Sequence, residues 1–588
     1  MTETQNPIRL WPGVAAVAVQ WLARFAVPIV FPDALEMSVL AGIALSLVVI
    51  VWWLFFSRVP MLERWSLFVL IVGGLALAFR VVDPSISNGM MGMMLPIFSL
   101  PVLCLALVAG AAFTRGFGDS ARRWTMAGLI LVGCFAWTLV RTNGMSGSAM
   151  SDFAWRWTPT AEAKLLASAP PLPPPAPAVA KPVAAPVEVP VKEAVAVPTK
   201  PIAAVVNPVA QWASYRGPGR NSVVPGATVE IDWTAAPPKQ MWKRPIGPGW
   251  SSFAVSGDRL YTQEQRGEDE LVACYQVSTG EPIWVHRDAA RFWESNAGAG
   301  PRGTPALHNG RVYSLGATGI LNALNASDGA LVWTRNASAD TNTKVPGWGY
   351  SGSPVVVGDT VVVAASGRLA SYDLATGNPR WQSTTGFGGG YSSPHLATIG
   401  GVPQILLMTS AGVISVAPGD GKQLWEHRWP TGMIVQPGLT VDGDVLISDN
   451  EKGMKRLAVT QGSEGWKVEE RWTSNGLKPY FSDFVVHNGH AIGFDGRLLS
   501  CIDLNDGKRK WKGGRYGNGQ MILLPGQDML VVLTEEGELV LVKASLQEFN
   551  EVAKVPGIEG KTWNHPVLVG DVLLVRNGQE MAAFKMKR

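Results

Sequence analysis

Charge is scarce in this chain. Asp, Glu, Lys and Arg make up 16% of the 588 residues, with 50 basic against 46 acidic side chains and a formal net charge of +4. Lys and Arg are neither abundant nor clustered, which excludes the basic footprint of a nucleic-acid-binding protein. Cysteine is rarer still. The four present are too few for a disulfide scaffold. Cys104 and Cys134 sit in apolar runs, and Cys274 and Cys501 in strand-like segments, so each reads as a small buried hydrophobe. No C-x-x-C-H haem attachment occurs. The seven histidines are scattered, and His487 and His490, the one close pair, have no Cys or acidic companion to build a zinc site. A G-x-S-x-G strand–turn–helix is also missing, because Gly349-Tyr350-Ser351-Gly352-Ser353 leads into a strand.

What the chain has in excess lies at its start. Five apolar runs, at about 10–32, 37–57, 62–82, 90–114 and 123–140, each approach the ~20 residues that span a bilayer. One cleaved signal peptide would explain the first run but not the other four. Short-loop Lys/Arg bias sets the orientation. With the N-terminus cytoplasmic, the inner segments carry Arg9, Arg58, Arg64, Arg115, Arg122 and Arg123. The outer ones carry Asp33, Glu36, Arg80, Asp83 and Arg141. An odd number of spans then puts the C-terminal part outside the cell membrane. Arg24 is the one ionisable group in mid-span, a functional-site candidate by default, although pairing between helices or reaching to the interface explains it more simply. The expected layout is a transmembrane helical domain over 1–145, a juxtamembrane segment and Pro/Ala/Val-rich linker over 146–208, and a β domain over 209–588. So many prolines over 168–208 forbid helix and sheet, and an extended spacer there would reach about 120 Å at most.

The remainder is organised by one phrase. Apolar alternation, a polar turn closed by Gly, and a short strand ending in Trp recur at Trp284, Trp333, Trp381, Trp425 and Trp511, with the Gly four residues before each Trp. A degenerate copy ends at Trp472, and another is expected to put Phe549 in the Trp place. These intervals suit four-stranded propeller blades. Residues 566–588 supply three strands with no Trp strand, and 239–247, with Trp242, supply a Trp strand with nothing before it. Joining them removes two open sheet edges and makes eight blades. The expected fold is therefore an α-helical membrane domain of about five spans plus an all-β eight-bladed propeller.

The repeat A-x-D-x-x-T-G-x-x-x-W resembles the tryptophan-docking repeat of the PQQ-binding-like β-propeller proteins, within the quinoprotein alcohol dehydrogenase-like superfamily. Phrases such as 212-WASYRGPGR-220, 300-GPRGTP-305, 347-GWGYSGSP-354, 390-GYSSP-394 and 563-WNHP-566 look like recurrent phrases of that family. Apolar spans before an eight-bladed propeller also resemble membrane-bound quinoprotein glucose dehydrogenase. The resemblance implies scaffold roles for Trp242, Trp284, Trp333, Trp381, Trp425, Trp472 and Trp511, stacked between blades with each indole N–H on a carbonyl.

Function is sought where the repeat is interrupted. Loops before the first strands carry Arg302, Trp348, Tyr350, Ser351, Tyr391, Ser392, Ser393, Gln436, Tyr480, Trp563, Asn564 and His565, which successive blades should bring to one channel mouth. An Arg among aromatics and hydroxyls suits a planar anion or a peptide carboxylate; strand-capping is the equal alternative. A PQQ dehydrogenase would also need a divalent ion on carboxylate and amide oxygens and a carboxylate base. Glu264, Glu294, Asp449 beside Asn450, and Asp483 are the available acids. The vicinal Cys–Cys element of many soluble relatives is absent, and the blades are short. The expectation is a binding or scaffolding propeller held at the inner membrane, N-terminus cytoplasmic and propeller periplasmic, with no cofactor and no metal. Its expected partners are the lipid bilayer and either envelope proteins or a small ligand at the mouth. The alternatives are a membrane PQQ dehydrogenase, with Ca²⁺, oxidising an alcohol or sugar, and an envelope-protein assembly factor.

Overall fold

The computed structural model describes residues 10–31, 34–147, 150–168, 172–173, 210–383, 388–430 and 434–587. The spacer expected over 168–208 lies almost wholly outside them. Two compact units form, Met1–Thr160 with Glu294–Gly298, and Ala161–Trp293 with Ala299–Arg588.

In the first unit, four helices are long and apolar enough to cross a membrane: Trp11–Val30, Leu35–Phe56, Met61–Val81 and Met94–Gly116. The fifth apolar run is also helical, over Asp119–Phe135, with a 3-10 turn at Ala136–Leu139. Its 17 residues rise only about 26 Å at ~1.5 Å each, and its first turn carries Asp119, Arg122 and Arg123. Length and charge thus separate it from the other four. Arg122 donates to both oxygens of Glu63, at 3.1 and 2.8 Å, in a buried pair. Both residues lie in the first turns of their helices, so Met61–Val81 and Asp119–Phe135 start at the same end of the bundle. Arg24 sits in a π-helical turn, Leu22–Ala26, with its guanidinium 5.1 and 5.2 Å from the ring centres of Phe25 and Phe98. It stacks on rings, whereas Gln20, one turn earlier, donates to Ser46 Oγ (2.6 Å) and to the Gly42 carbonyl (3.2 Å).

The second unit is a ring of eight four-stranded antiparallel sheets. Blade 1 joins the ends of the propeller sequence: Lys239–Pro245 pairs with Glu580–Lys585, placing Trp242 opposite Ala583. Blades 2 to 8 follow in chain order. Their first strands are Ala254–Ser256, Ala306–His308, Val355–Val357, His395–Ile399, Gly438–Leu439, Phe484–His487 and Gln520–Leu524. The seam is reinforced by Arg576, wholly buried. Its guanidinium donates across from blade 1 to Thr262 Oγ1 (2.6 Å) and to the carbonyls of Gln263 (2.9 Å) and Gly247 (3.1 Å).

Neighbouring blades are joined by one repeated contact. Every last strand carries a bulge at the same place, seen at Cys274/Tyr275, Ala323/Leu324, Ser371/Tyr372 and their equivalents; a bulge re-aims the side chain beside it. The indole so placed lies on the turn glycine of the next blade. A Cβ on Gly280 would come 2.7 Å from the Trp242 ring, one on Gly329 2.4 Å from Trp284, and one on Gly377 2.6 Å from Trp333. Each Nε1–H donates to a carbonyl of the following blade: Trp242 to Val277 (2.8 Å), Trp284 to Ala326 (3.1 Å), Trp333 to Leu374 (3.0 Å), Trp381 to Pro418 (2.9 Å), Trp472 to Leu504 (2.8 Å) and Trp511 to Ser545 (2.8 Å). Covering such a ring removes roughly 150–250 Å² from water, worth about 4–6 kcal/mol at ~25 cal/mol per Å², against about 1 kcal/mol for the bond. Burial holds the blades together; the bond fixes the ring's angle.

Two blades depart from the pattern. Blade 6 extends its last two strands into the long hairpin Gly453–Gly462 and Gly465–Ser474, so its turn glycine, Gly465, lies beyond the extended strands, where a Cβ would meet nothing within 4 Å, and receives no indole from Trp425. That indole turns back to Gln404 Oε1 (2.7 Å) in its own blade. In blade 8 the expected placing of Phe549 is corrected. The bulge there falls between Leu541 and Val542, with Leu541 opposite Ala553, so Ala553 holds the Trp place and Phe549 stands four residues before it, where the other blades have glycine. Phe549 therefore receives an indole, its ring centre 5.9 Å from that of Trp511.

Gly377 and Gly358 separate the two roles of a turn glycine. Both have positive φ, +73° and +58°, but a Cβ on Gly358 meets nothing within 4 Å. Gly377→Ala should cost about 2–4 kcal/mol, from backbone strain plus collision with Trp333, and Gly358→Ala about 1 kcal/mol from strain alone. Denaturant unfolding of the two variants measures the difference, and equal losses would remove the ring contact as the cause.

Candidate functional site

Residues 212–224 precede the first blade strand and fill the place where the first strands meet. Trp212 exchanges backbone bonds with Val255 of blade 2 (3.1 and 2.8 Å), and Leu307 of blade 3 donates to the Ala213 carbonyl (2.7 Å). Arg220 donates to the carbonyls of Pro354 (3.0 Å) and Pro394 (3.2 Å), which enter blades 4 and 5. Gln436, entering blade 6, donates to the Arg220 carbonyl (2.9 Å). Arg216 donates to the Phe484 carbonyl of blade 7 (2.6 Å), and Tyr215 to Asp483 Oδ2 (2.7 Å). Ser222 and Val224 flank Leu523 of blade 8 in backbone bonds of 2.8 and 2.9 Å, and the Ser222 hydroxyl meets His565 Nε2 at the entry to blade 1 (2.8 Å). One segment thus touches all eight blades. Arg216, Arg220 and Ser222 all have positive φ, +63°, +50° and +62°, strain of about 1–3 kcal/mol per residue that the charge-assisted bonds offset.

A relay of hydroxyl-to-amide bonds links the loops entering blades 2 to 5. Ser252 N–H donates to Thr304 Oγ1, Thr304 N–H to Ser353 Oγ, and Ser353 N–H to Ser393 Oγ, each at 2.9 Å. Those hydroxyls link successive blades.

The residues expected at one mouth therefore separate. Gln436 and His565 are buried and hold the plug. Tyr350 is buried between blades 3 and 4, its hydroxyl 2.8 Å from Thr343 Oγ1. Asn564 donates to the Ser251 carbonyl (2.7 Å). Arg302 lies over the Phe292 ring at 4.8 Å. Trp348 packs on Tyr391 with ring centres 4.9 Å apart. Trp563 packs between Trp250 (4.7 Å) and Phe481 (4.8 Å), under the Lys561 ammonium at 4.3 Å, and donates to Glu535 Oε1 (2.8 Å). Trp348 also lines, with Tyr480, a pocket of about 320 Å³ among the loops of blades 4 to 7.

The candidate acids separate too. Glu264, fully buried at the blade 1–2 seam, accepts from Tyr275 and from the Gly247 amide. Glu294 accepts the amides of Asn296 and Ala297. Asp449 closes its own turn through the amides of Glu451 (2.9 Å) and Lys452 (2.7 Å). Asp483 pairs with Arg216 at 3.3 Å. Among the described residues no three His, Cys, Asp or Glu side chains come together as a metal-ligand set. These four acids are not brought together, and among the described residues the pocket lining carries carboxylates and no Lys or Arg.

Several residues escaped a reading by local phrase. Arg216 and Arg220 lie in a phrase with no strand pattern, and their partners are 133 to 268 residues away. Glu270, whose carboxyl burial raises to about 7, accepts from the Ala317 amide (3.1 Å).

Comparison with known proteins gives a family model described as outer membrane protein assembly factor BamB, matched over residues 230–403 and 409–587. Outer membrane protein assembly factor BamB of Burkholderia pseudomallei is 30% identical over 188 residues, 31% of this chain and 45% of that protein. The chain spans about half the length of the curated relatives it matches, or less. The crystal structure of BamB from Moraxella catarrhalis aligns with a TM-score of 0.44 at 13% identity, over 59% of this chain and all of that one. A quinohemoprotein alcohol dehydrogenase from Pseudomonas putida HK5 aligns with a TM-score of 0.47 at 12% identity, over 64% and 80%.

The plug makes stability depend on pH through two histidines. Nδ1 of His565 donates to the Pro566 carbonyl (2.7 Å), so its Nε2 accepts from Ser222; Nδ1 of His395 accepts from Gln436 (2.5 Å). Burial, with Arg216 and, for His395, Arg220 nearby, lowers both to about 3. Their unfolded value is about 6.5, so the unfolded chain binds more protons between these limits. The stabilisation is complete above about pH 6.5 and is lost as pH falls toward 3. The unfolding midpoint should drop from pH 7 to pH 4, and His565→Gln should flatten that profile; an unchanged slope in the variant would remove His565 as a source.

Proposed function

The chain belongs to the family described as outer membrane protein assembly factor BamB, and on that premise we propose that its propeller is a non-catalytic binding and scaffolding module serving assembly of envelope proteins. The observation that carries this reading is the plug: residues 212–224 bonded to every blade. Filling the axis with its own chain makes the ring a rigid body and commits Arg216, Arg220, Gln436, Asp483 and His565 to internal bonds. The loop face then offers aromatic rings, Trp250, Trp348, Tyr391, Tyr480, Phe481 and Trp563, as large, stiff contact groups suited to polypeptide partners.

The N-terminal helices act as the anchor in the inner membrane. Lys/Arg bias supports a cytoplasmic N-terminus. The common starting end of Met61–Val81 and Asp119–Phe135, marked by Glu63 and Arg122, supports a last helix that crosses in the same direction as the third. On this reading, with the last helix crossing as a fifth span, the propeller lies outside the inner membrane, where envelope proteins pass.

Two measurements on the detergent-solubilised full chain test this reading. Cross-linking in intact cells followed by purification should recover envelope proteins in the course of assembly. Addition of PQQ and Ca²⁺ should give no stoichiometric binding and no dye reduction with alcohols or sugars. Dye reduction would overturn the proposal in favour of a membrane quinoprotein dehydrogenase.

A further inference from the structure

The pocket among blades 4 to 7 is used neither by the plug nor by the blade contacts. Its volume of about 320 Å³ is at the lower end for small-molecule sites, ~300–1,000 Å³. Its walls are of two kinds. Trp348, backed by Tyr391, and Tyr480 give aromatic faces, with Ile434, Val435 and Pro479 completing the apolar side. The turns joining the second and third strands of blades 5 and 6 give the polar side, including Ser410, Ser448, Asn450 and Glu451. Ser448 is 2% exposed, and its hydroxyl has no hydrogen-bond partner among the described residues. A hydroxyl in that position ordinarily costs about 1–3 kcal/mol unless something satisfies it.

The lining selects among ligand classes. Asp449 and Glu451 are its charged members among the described residues, and no described Lys, Arg or His lines it, so a phosphate or carboxylate ligand would meet like charge in a partly desolvated space. A compact cation is disfavoured as well. Asp449 is neutralised in part by the two turn amides it accepts, and the Lys452 ammonium is held close by, on the Pro430 carbonyl at 2.7 Å. What remains is a neutral ligand with one apolar face for the rings and hydroxyls around its edge for an amide, a carboxylate and two serines.

We propose that this pocket binds a saccharide, with a pyranose ring stacked on Trp348 and Tyr480 and its hydroxyls bonded to the blade 5 and blade 6 turns. The Ser448 hydroxyl is satisfied by the sugar. The volume limits the bound unit to a mono- or disaccharide segment. The site shares Trp348 and Tyr480 with the aromatic loop face offered to polypeptide partners, but saccharide binding there does not rest on that role.

The test uses the full chain in a detergent without a sugar headgroup. N,N′-diacetylchitobiose and cellobiose are the probes, with saturation-transfer NMR and calorimetry as readouts. At least one disaccharide should bind saturably, and Trp348→Ala and Tyr480→Ala should each weaken it about tenfold, about 1.4 kcal/mol. Ser448→Ala, a smaller change, should weaken it severalfold without lowering the unfolding midpoint of the ligand-free protein. No saturable binding up to about 10 mM, weaker than about −3 kcal/mol, would overturn the proposal. So would binding undiminished in Trp348→Ala, or a trilysine peptide that binds at this pocket while the sugars do not. Recovery of envelope proteins is measured separately, so the two readings fail separately.

Discussion

The ring depends on an indole resting where a side chain cannot be. At Gly280, Gly329, Gly377 and Gly421 the positive φ admits the tight turn, and the missing Cβ admits the face of the preceding blade's tryptophan. Each condition alone would favour glycine; together they leave little else. Because the bulge aims the ring outward to the next blade, the contact is directional, and five copies of it, from Trp242, Trp284, Trp333, Trp381 and Trp472, help to curve the sheet array into closure. Ring closure is then no separate event. The Trp242 strand carries the same bulge and docks on blade 2 as the Trp284, Trp333, Trp381 and Trp472 strands dock on their neighbours.

This is why the fold was legible in the sequence. A contact confined to a Gly and a Trp four residues apart, repeated at blade intervals, leaves a local mark. The orphan strand around Trp242 and the three strands after 566 could be matched on that mark alone. Phe549 shows its limit. An aromatic residue at roughly the right interval looks like a substitute for Trp, but register is set by the bulge, and the bulge puts Ala553 there. Spacing counts blades well and places single residues poorly. The apolar runs were legible for the same local reason, with the last, Asp119–Phe135, short because its first turn is spent on charge.

The candidate site was much less legible, and the reason is distance along the chain. Gln436 and His565 were grouped with Trp348 and Trp563 because all precede a first strand. Equivalent positions in a propeller do share a face, but they differ in depth. Residues nearest the axis meet the segment 212–224, whose bonds to Gln436, Asp483 and His565 span 216 to 343 residues of sequence, while those farther out keep their rings half-exposed. No pattern in 212-WASYRGPGR-220 reports which blade each arginine will reach. A signal was present in the run of Gly and Pro around two arginines, a composition suited to left-handed turns and unsuited to a strand, but it marks an irregular segment and not its destination.

Filling the axis has a consequence for where chemistry or recognition can occur. Arg216 and Arg220 are spent on carbonyls entering blades 4, 5 and 7, and Arg216 also on Asp483, so an anion arriving there would have to compete with three blades for them. The acids are likewise divided, Glu264 to the closing seam, Asp449 to its turn, Glu294 to its loop. A site that needed several of these groups at once would have to dismantle the contacts that hold the ring. Recognition that relies on aromatic faces and turn hydroxyls requires no such rearrangement, because those groups project from turns whose backbone is already satisfied. Binding at the rim therefore disturbs fewer of the contacts that hold the ring, and at the rim the Ser448 hydroxyl lines a pocket with no hydrogen-bond partner among the described residues.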